Sequence, residues 1–262
     1  MTHSSPDSSH LLAVQQISLA FKGVKAVTDI SFSVKRGEVC ALIGPNGAGK
    51  SSLLNVINGV YTPQTGQIVF DGVSYSRIEV HHAATLGIAR TFQNIALFKG
   101  MSVLDNIMTG RNLSIRTSFL TQALRLPVAR AEAVAQRRKA EEVIAFLNLE
   151  AHRHSLVGTL PYGLQKQVEL ARALVSEPKL LLLDEPMAGM NAEEKYGMCR
   201  HILEVHRSFG TTVILIEHDM GVVMDIADHV VVLDYGRKIG DGPPEAVRND
   251  PGVIDAYLGV AH

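Results

Sequence analysis

Cysteine is scarce: two residues, too few for a disulfide framework. Cys40 lies in an apolar run and Cys199 in a stretch with helical spacing, so both read as reduced thiols of a cytosolic protein. No apolar run approaches the roughly 20 residues that a bilayer span requires. The opening MTHSSPDSSH lacks the charged-then-apolar order of a signal peptide, and residues 1–10 are expected to form a disordered tail. Excess charge is lacking too. With 25 Lys and Arg against 26 Asp and Glu, the formal net charge is −1, and no nucleic-acid partner is expected. Internal repeats, heptads and low-complexity segments are absent. His81-His82 and His152-x-His154 have no acidic or cysteine companions at ligand spacing, which argues against zinc. What remains is a soluble chain of 262 residues, long enough to bury a substantial core.

The most informative stretch is residues 44–52, GPNGAGKSS, directly behind the apolar run Val39-Cys40-Ala41-Leu42-Ile43. The spacing G-x-x-x-x-G-K-S is that of a loop that binds the phosphates of a nucleoside triphosphate. Gly44, Gly47 and Gly49 allow a tight turn that brings backbone N–H groups to phosphate oxygens, and Ala48 is small enough not to obstruct them. Pro45 and Asn46 complete the turn, and Ser52 follows inside the helix expected to begin near Lys50. That helix points its positive end at the same anion. Lys50 is expected to neutralise the β- and γ-phosphates, and the Ser51 hydroxyl to enter a Mg²⁺ shell.

Around this loop, residues 11–35 alternate apolar and polar side chains and read as two or three antiparallel strands. Phe21 ends the first run, placed either to pack into a core or to offer its face to a purine. QIVFDGVSY reads as one short strand ending in Asp71-Gly72, and IARTF as a strand before Gln93. Residues 111–149 have helical periodicity. Their basic early part, with Arg111, Arg116, Arg125 and Arg130, is either a solvated face or a surface for acidic headgroups or a partner. Pro161 suits the entrance of a helix running to Leu174. Leu180-Leu181-Leu182-Leu183 reads as a buried parallel strand delivering Asp184 and Glu185 at its C-terminal end, where open α/β sheets bind ligands. TTVILI is a second such strand, ending in Glu217, His218 and Asp219. Asn191 stands near the cap of an amphipathic helix. VVVLDYGRKIGDG reads as a hairpin turning at Tyr235-Gly236, with short helices after Pro243-Pro244 and Pro251. Chemically, Asp184 is the acidic partner of Ser51 for Mg²⁺. Glu185 is placed to polarise a water for in-line attack, and His218 to orient Glu185 or the γ-phosphate.

Taken in order, Phe21, GPNGAGKS, Gln93, LPYGLQ, LLLLDEP, MAGMN and His218 resemble the ATP-binding subunits of ABC transporters over residues 11–259. The resemblance implies an α/β fold: a RecA-like phosphate-loop core with an antiparallel β lobe (11–92 and 171–242), a helical lobe (93–170) and C-terminal helices (243–262), forming one ATPase domain over 11–262. It further implies that Phe21 stacks on adenine, that Gln93 senses Mg²⁺ and the attacking water, and that Glu185 is the general base. Each ATP is then trapped between one chain's loop and the other's signature (here Pro161, Tyr162 and Gly163, with Asn191 following) in a homo- or heterodimer of ATPase subunits. NIALFKGMSVLDNIMTGR, EPMAGMN, LIEHDM and NDPGVIDAYLG resemble, more narrowly, the branched-chain amino acid importer ATPases. Lipopolysaccharide-export ATPases are the nearest rival, and a non-transport ABC ATPase a more distant one. The importer resemblance implies permease partners, an indirect periplasmic or extracellular substrate-binding protein, and a peripheral place on the cytoplasmic face of the inner membrane. Leu97, Phe98 and Met101 would be anchors for a permease loop, or else pack a lobe junction. Departures from the common LSGGQ signature are Pro161 for Ser, Tyr162 for the first Gly and Leu164 for Gln; Asn191 replaces the usual Asp. Pro161 offers neither hydroxyl nor N–H, so the site that it completes is expected to be the slower one.

Overall fold

Alternating apolar residues build two long strands, β1 (His10–Phe21) and β2 (Val24–Lys35), joined by the tight turn Lys22-Gly23. They pair antiparallel, with Val14 opposite Phe32 and Ile17 opposite Ile30, and bury Leu12, Val14, Ile17 and Leu19 on one face. The computed structural model describes residues 9–111 and 127–258. The expected tail lies mostly outside these, and so do Arg116 and Arg125.

The five residues of β3 (Val39–Ile43) are all buried. The phosphate loop follows and feeds α1 (Lys50–Ile57). QIVFDGVSY is a hairpin rather than one strand: β4 (Thr65–Phe70) and β5 (Val73–Tyr75) flank Asp71-Gly72, whose φ values of 51° and 80° suit a two-residue hairpin turn. With them the first sheet has four strands, in the order β2-β1-β4-β5. After α2 (Val80–Leu86) comes β6 (Ile88–Arg90).

Helices α3 (Val103–Thr109), α4 (Pro127–Phe146) and α5 (Tyr162–Leu174) precede β7 (Leu180–Asp184). Then follow α6 (Ala192–Phe209), β8 (Thr212–Ile216), α7 (Met220–Ile226) and the hairpin β9 (His229–Asp234) and β10 (Arg237–Gly242). The last described elements are α8 (Pro244–Arg248) and α9 (Pro251–Leu258). The second sheet has the order β10-β9-β3-β8-β7-β6, parallel except for β10. Each residue of β7 and β8 is buried, as a parallel strand covered on both faces requires. The shared direction brings the C-terminal ends of β3, β7 and β8 to one edge, with Leu42 and Asp184 both in register with Ile216. That edge carries residues 46–52, Glu185 and His218.

The chain divides into two compact units. One, of residues 1–90, 179–186 and 202–262, holds both sheets around a common core that includes Leu12, Ile30, Leu42, Leu54, Phe70, Leu182 and Ile214. The other, of residues 91–178 and 187–201, packs α3, α4 and α5 through buried Val103, Ile107, Ala140, Ile144 and Val168. Within it the fully buried Asn106 bonds both the N–H (2.9 Å) and the carbonyl (3.0 Å) of Phe98. Arg111 is not a free surface charge: it donates to the Val175 carbonyl at 2.7 Å and to Glu177 at 3.1 Å. No described helix is long and apolar enough to cross a membrane.

Candidate active site

The phosphate loop is shaped by contacts that no side chain would fit. At Gly44 (φ 141°) a Cβ would stand 1.9 Å from the Leu233 carbonyl oxygen, and at Gly49 (φ 98°) 2.4 Å from that of Ala26. Gly49 is the residue that opens α1, so the free N–H groups of the helix's first turn face the loop. Lys50 is buried and donates to the carbonyls of Gly44 (2.7 Å) and Pro45 (2.9 Å). Burial lowers its pKa, and the charges of Glu185 and Asp184 oppose that effect. A cavity of about 210 Å³ opens here, lined by residues 46–52 with Ala26, Glu185 and His218. Three strand ends thus converge.

Glu185 follows β7 with φ 50°, a left-handed conformation that a non-glycine residue adopts at a cost of about 1–3 kcal/mol. Its N–H is held by the Ile216 carbonyl at 3.0 Å, and its Oε1 lies 2.8 Å from His218 Nε2. The imidazole N–H donates and the carboxylate accepts, which aims the pair into the cavity. Asp184, one residue earlier, does not line the cavity wall. Its side chain is 6% exposed, and Oδ2 accepts from Arg90 at 2.8 Å. Oδ1 is buried with no hydrogen-bond partner. An orphaned carboxylate oxygen costs roughly 1–3 kcal/mol, and a hard cation is the partner it suits. With the Ser51 hydroxyl as a further oxygen donor, the residues present fit Mg²⁺.

Phe21 is not a core residue. It is 41% exposed, with its ring edge-on to Tyr61 at 4.9 Å between centroids. The other expected site residues belong to the second unit. Gln93 is exposed, and its carbonyl accepts from buried Lys166 at 2.9 Å, while Glu169 from the same helix accepts from the Phe92 N–H at 3.3 Å. Pro161 precedes α5 and, lacking a hydroxyl, leaves its first turn without a side-chain cap. The ring of Tyr162 lies against Gly189, where a Cβ would be 3.2 Å from it. Asn191 caps α6 reciprocally with Glu194: the Glu194 N–H donates to Asn191 Oδ1 and the Asn191 N–H to Glu194 Oε2, both at 3.0 Å.

Sequence reasoning missed three residues. Arg90 and Asn55 (Arg90 Nη1 to Asn55 Oδ1, 2.5 Å) support Asp184, and Tyr257 on α9 hydrogen-bonds the backbone of Gly44. The signals were an arginine inside an apolar strand and an asparagine four residues after Ser51. Tyr257 had only its place in the C-terminal segment.

A phosphate loop on a parallel sheet, with a carboxylate–histidine pair across the cavity, defines an ATP-binding cassette, and the chain belongs to the ABC transporter family, whose model matches residues 27–188. The model for the branched-chain amino acid ATP-binding cassette transporter matches residues 237–262. Over 254 residues the chain is 37% identical to the high-affinity branched-chain amino acid transport ATP-binding protein BraF of Pseudomonas aeruginosa, covering 97% of this chain and 100% of that protein. Identity to LivG of Escherichia coli, which carries the same description, is 35% with the same coverage. The crystal structure of a nucleotide-free ATP-binding cassette from an ABC transporter superposes with a TM-score of 0.82 at 32% identity, covering 95% of this chain and 98% of the other. This chain therefore binds nucleotide through an ABC ATPase domain.

Proposed function

We propose that this chain is the ATP-hydrolysing, energy-coupling subunit of an importer for branched-chain amino acids or related small molecules. The observation that carries the reading is the Glu185–His218 pair, 2.8 Å apart, on the cavity of the phosphate loop. The C-terminal match over 237–262 favours the importer over a lipopolysaccharide exporter.

Residues 11–262 act as one cassette. Backbone N–H groups of residues 44–52 cradle the phosphates, Lys50 exchanges its loop carbonyls for phosphate oxygens, and Phe21 offers its exposed ring to adenine. Ser51, Asp184 and Gln93 would hold Mg²⁺, which when bound would supply charge neutralisation for the phosphates. Glu185 takes the proton of the attacking water, and His218 holds the carboxylate in line. Pro161, Tyr162, Gly163 and Asn191 complete the ATP site of a second ATPase subunit. ATP closes this pair because it binds the closed state more tightly, and hydrolysis reopens it. Phe98, 56% exposed on a loop pinned by Asn106, is the anchor for a permease at the cytoplasmic face of the membrane, with an external substrate-binding protein acting through that permease.

Glu185→Gln keeps the shape and removes the base. It is expected to abolish ATP turnover in the purified chain and to accumulate an ATP-dependent dimer in size-exclusion runs. Turnover within a few-fold of the unaltered chain would remove Glu185 from the reaction.

A further inference from the structure

Arg90 ends β6, an edge strand of the parallel sheet, and its guanidinium is 5% exposed. A cation placed there has been taken out of water and must be repaid by its partners. The guanidinium is not spent as a two-pronged clamp on one carboxylate, the usual arrangement for an arginine–aspartate pair. Its fork is divided. Nη2 donates to Asp184 Oδ2 at 2.8 Å, and Nη1 to Asn55 Oδ1 at 2.5 Å.

The two acceptors belong to the two elements that carry the oxygen donors of the site. Asn55 is four residues after Ser51 on α1, hence on the same helix face one turn behind it. Asp184 is two residues beyond Leu182, the register partner of Arg90, and so shares its face of the sheet. One guanidinium therefore links the helix of Ser51 to the carboxylate of Asp184. It also removes one carboxylate oxygen from the choice of ligands while the buried Oδ1 keeps no protein partner.

We propose that Arg90 is a positioning residue for the metal: it sets the orientation of Asp184 relative to Ser51 and reserves Oδ1 for the cation. This rests on the ATPase reading above. It differs from charge compensation alone, for which any cation would serve. Lysine keeps the charge but cannot bridge two acceptors with a fixed fork.

The test uses the purified full chain and a fluorescent ATP analogue, with binding measured in EDTA and across a Mg²⁺ titration. Arg90→Lys is expected to raise the Mg²⁺ concentration at half-effect by about tenfold, as loss of a ligand-orienting partner does, while affinity in EDTA stays unchanged. Asn55→Ala, which leaves the charge pair intact, moves the midpoint the same way by less and decides the matter if Arg90→Lys does not fold. An unaltered Mg²⁺ midpoint in both variants overturns the proposal. So does a proportional fall in affinity with and without Mg²⁺, which is the mark of a merely structural prop. If binding by the unaltered chain is indifferent to Mg²⁺, the metal reading itself fails, and this inference fails with it.

Discussion

Single residues in this chain hold conformations that local physics disfavours, and several of them lie at the nucleotide edge. Gly44 and Gly49 sit against carbonyl oxygens with positive φ, and Glu185 adopts φ 50° despite its side chain. Gly44→Ala forces both a left-handed conformation and a clash with Leu233, so it is expected to lower unfolding free energy by about 2–4 kcal/mol and to abolish nucleotide binding. Denaturant titration and analogue binding check the two parts. The phosphate loop was legible because its chemistry is local: nine consecutive residues carry it. Asp184, Glu185 and His218 were legible because each ends an apolar run. Arg90 was not, since its meaning depends on an aspartate 94 positions away, which no local pattern in IARTF encodes.

Elements follow their signals where the signal is short-ranged. The buried runs of β3, β7 and β8, the Asn191 cap and the hairpin at Tyr235-Gly236 all follow from the sequence. Adding β4 and β5 to the first sheet depends instead on long-range register, with Val14 opposite Ile68, which no local pattern encodes. At α5 the departure from the common signature has a measurable cost. Pro161 gives the helix a compatible entrance but no side-chain acceptor. Pro161→Ser is expected to stabilise the chain by about 1 kcal/mol through a new cap. The same hydroxyl restores a donor to the γ-phosphate, so single-site turnover should rise as well. A thermal shift with no change in turnover would confine the residue to the helix.

At the scale of the whole molecule, the sheet has an opposite edge with its own polar network. His229, at the start of β9, lies 2.6 Å from Asp241 on β10 and 3.7 Å from Glu38, before β3. The Asp241 hydrogen bond, with help from Cys40 and Glu38, raises the His229 pKa to about 12. Burial works against the charge of Asp241, yet His229 and Lys238 hold it below the usual carboxylate range. A raised histidine stabilises fully below its ordinary pKa of 6.5 and loses that contribution as pH climbs toward 12. The lowered aspartate acts above 3.8 and fails in acid. Stability from this network is therefore greatest between the two and declines on the alkaline side. His229→Gln should cost about 2 kcal/mol near pH 6, with the gap to the unaltered chain narrowing as pH rises through 10 in denaturant midpoints.

Lys50 bears on what happens after hydrolysis. Because its ammonium donates to the Gly44 and Pro45 carbonyls within 2.9 Å, the loop itself offers this cation acceptors besides phosphate. A departing nucleotide then need leave no stranded charge behind, since the loop's own carbonyls can take up the lysine. Each turnover then begins and ends as an exchange of partners, so the site can hold a polyanion firmly and still let the spent nucleotide go.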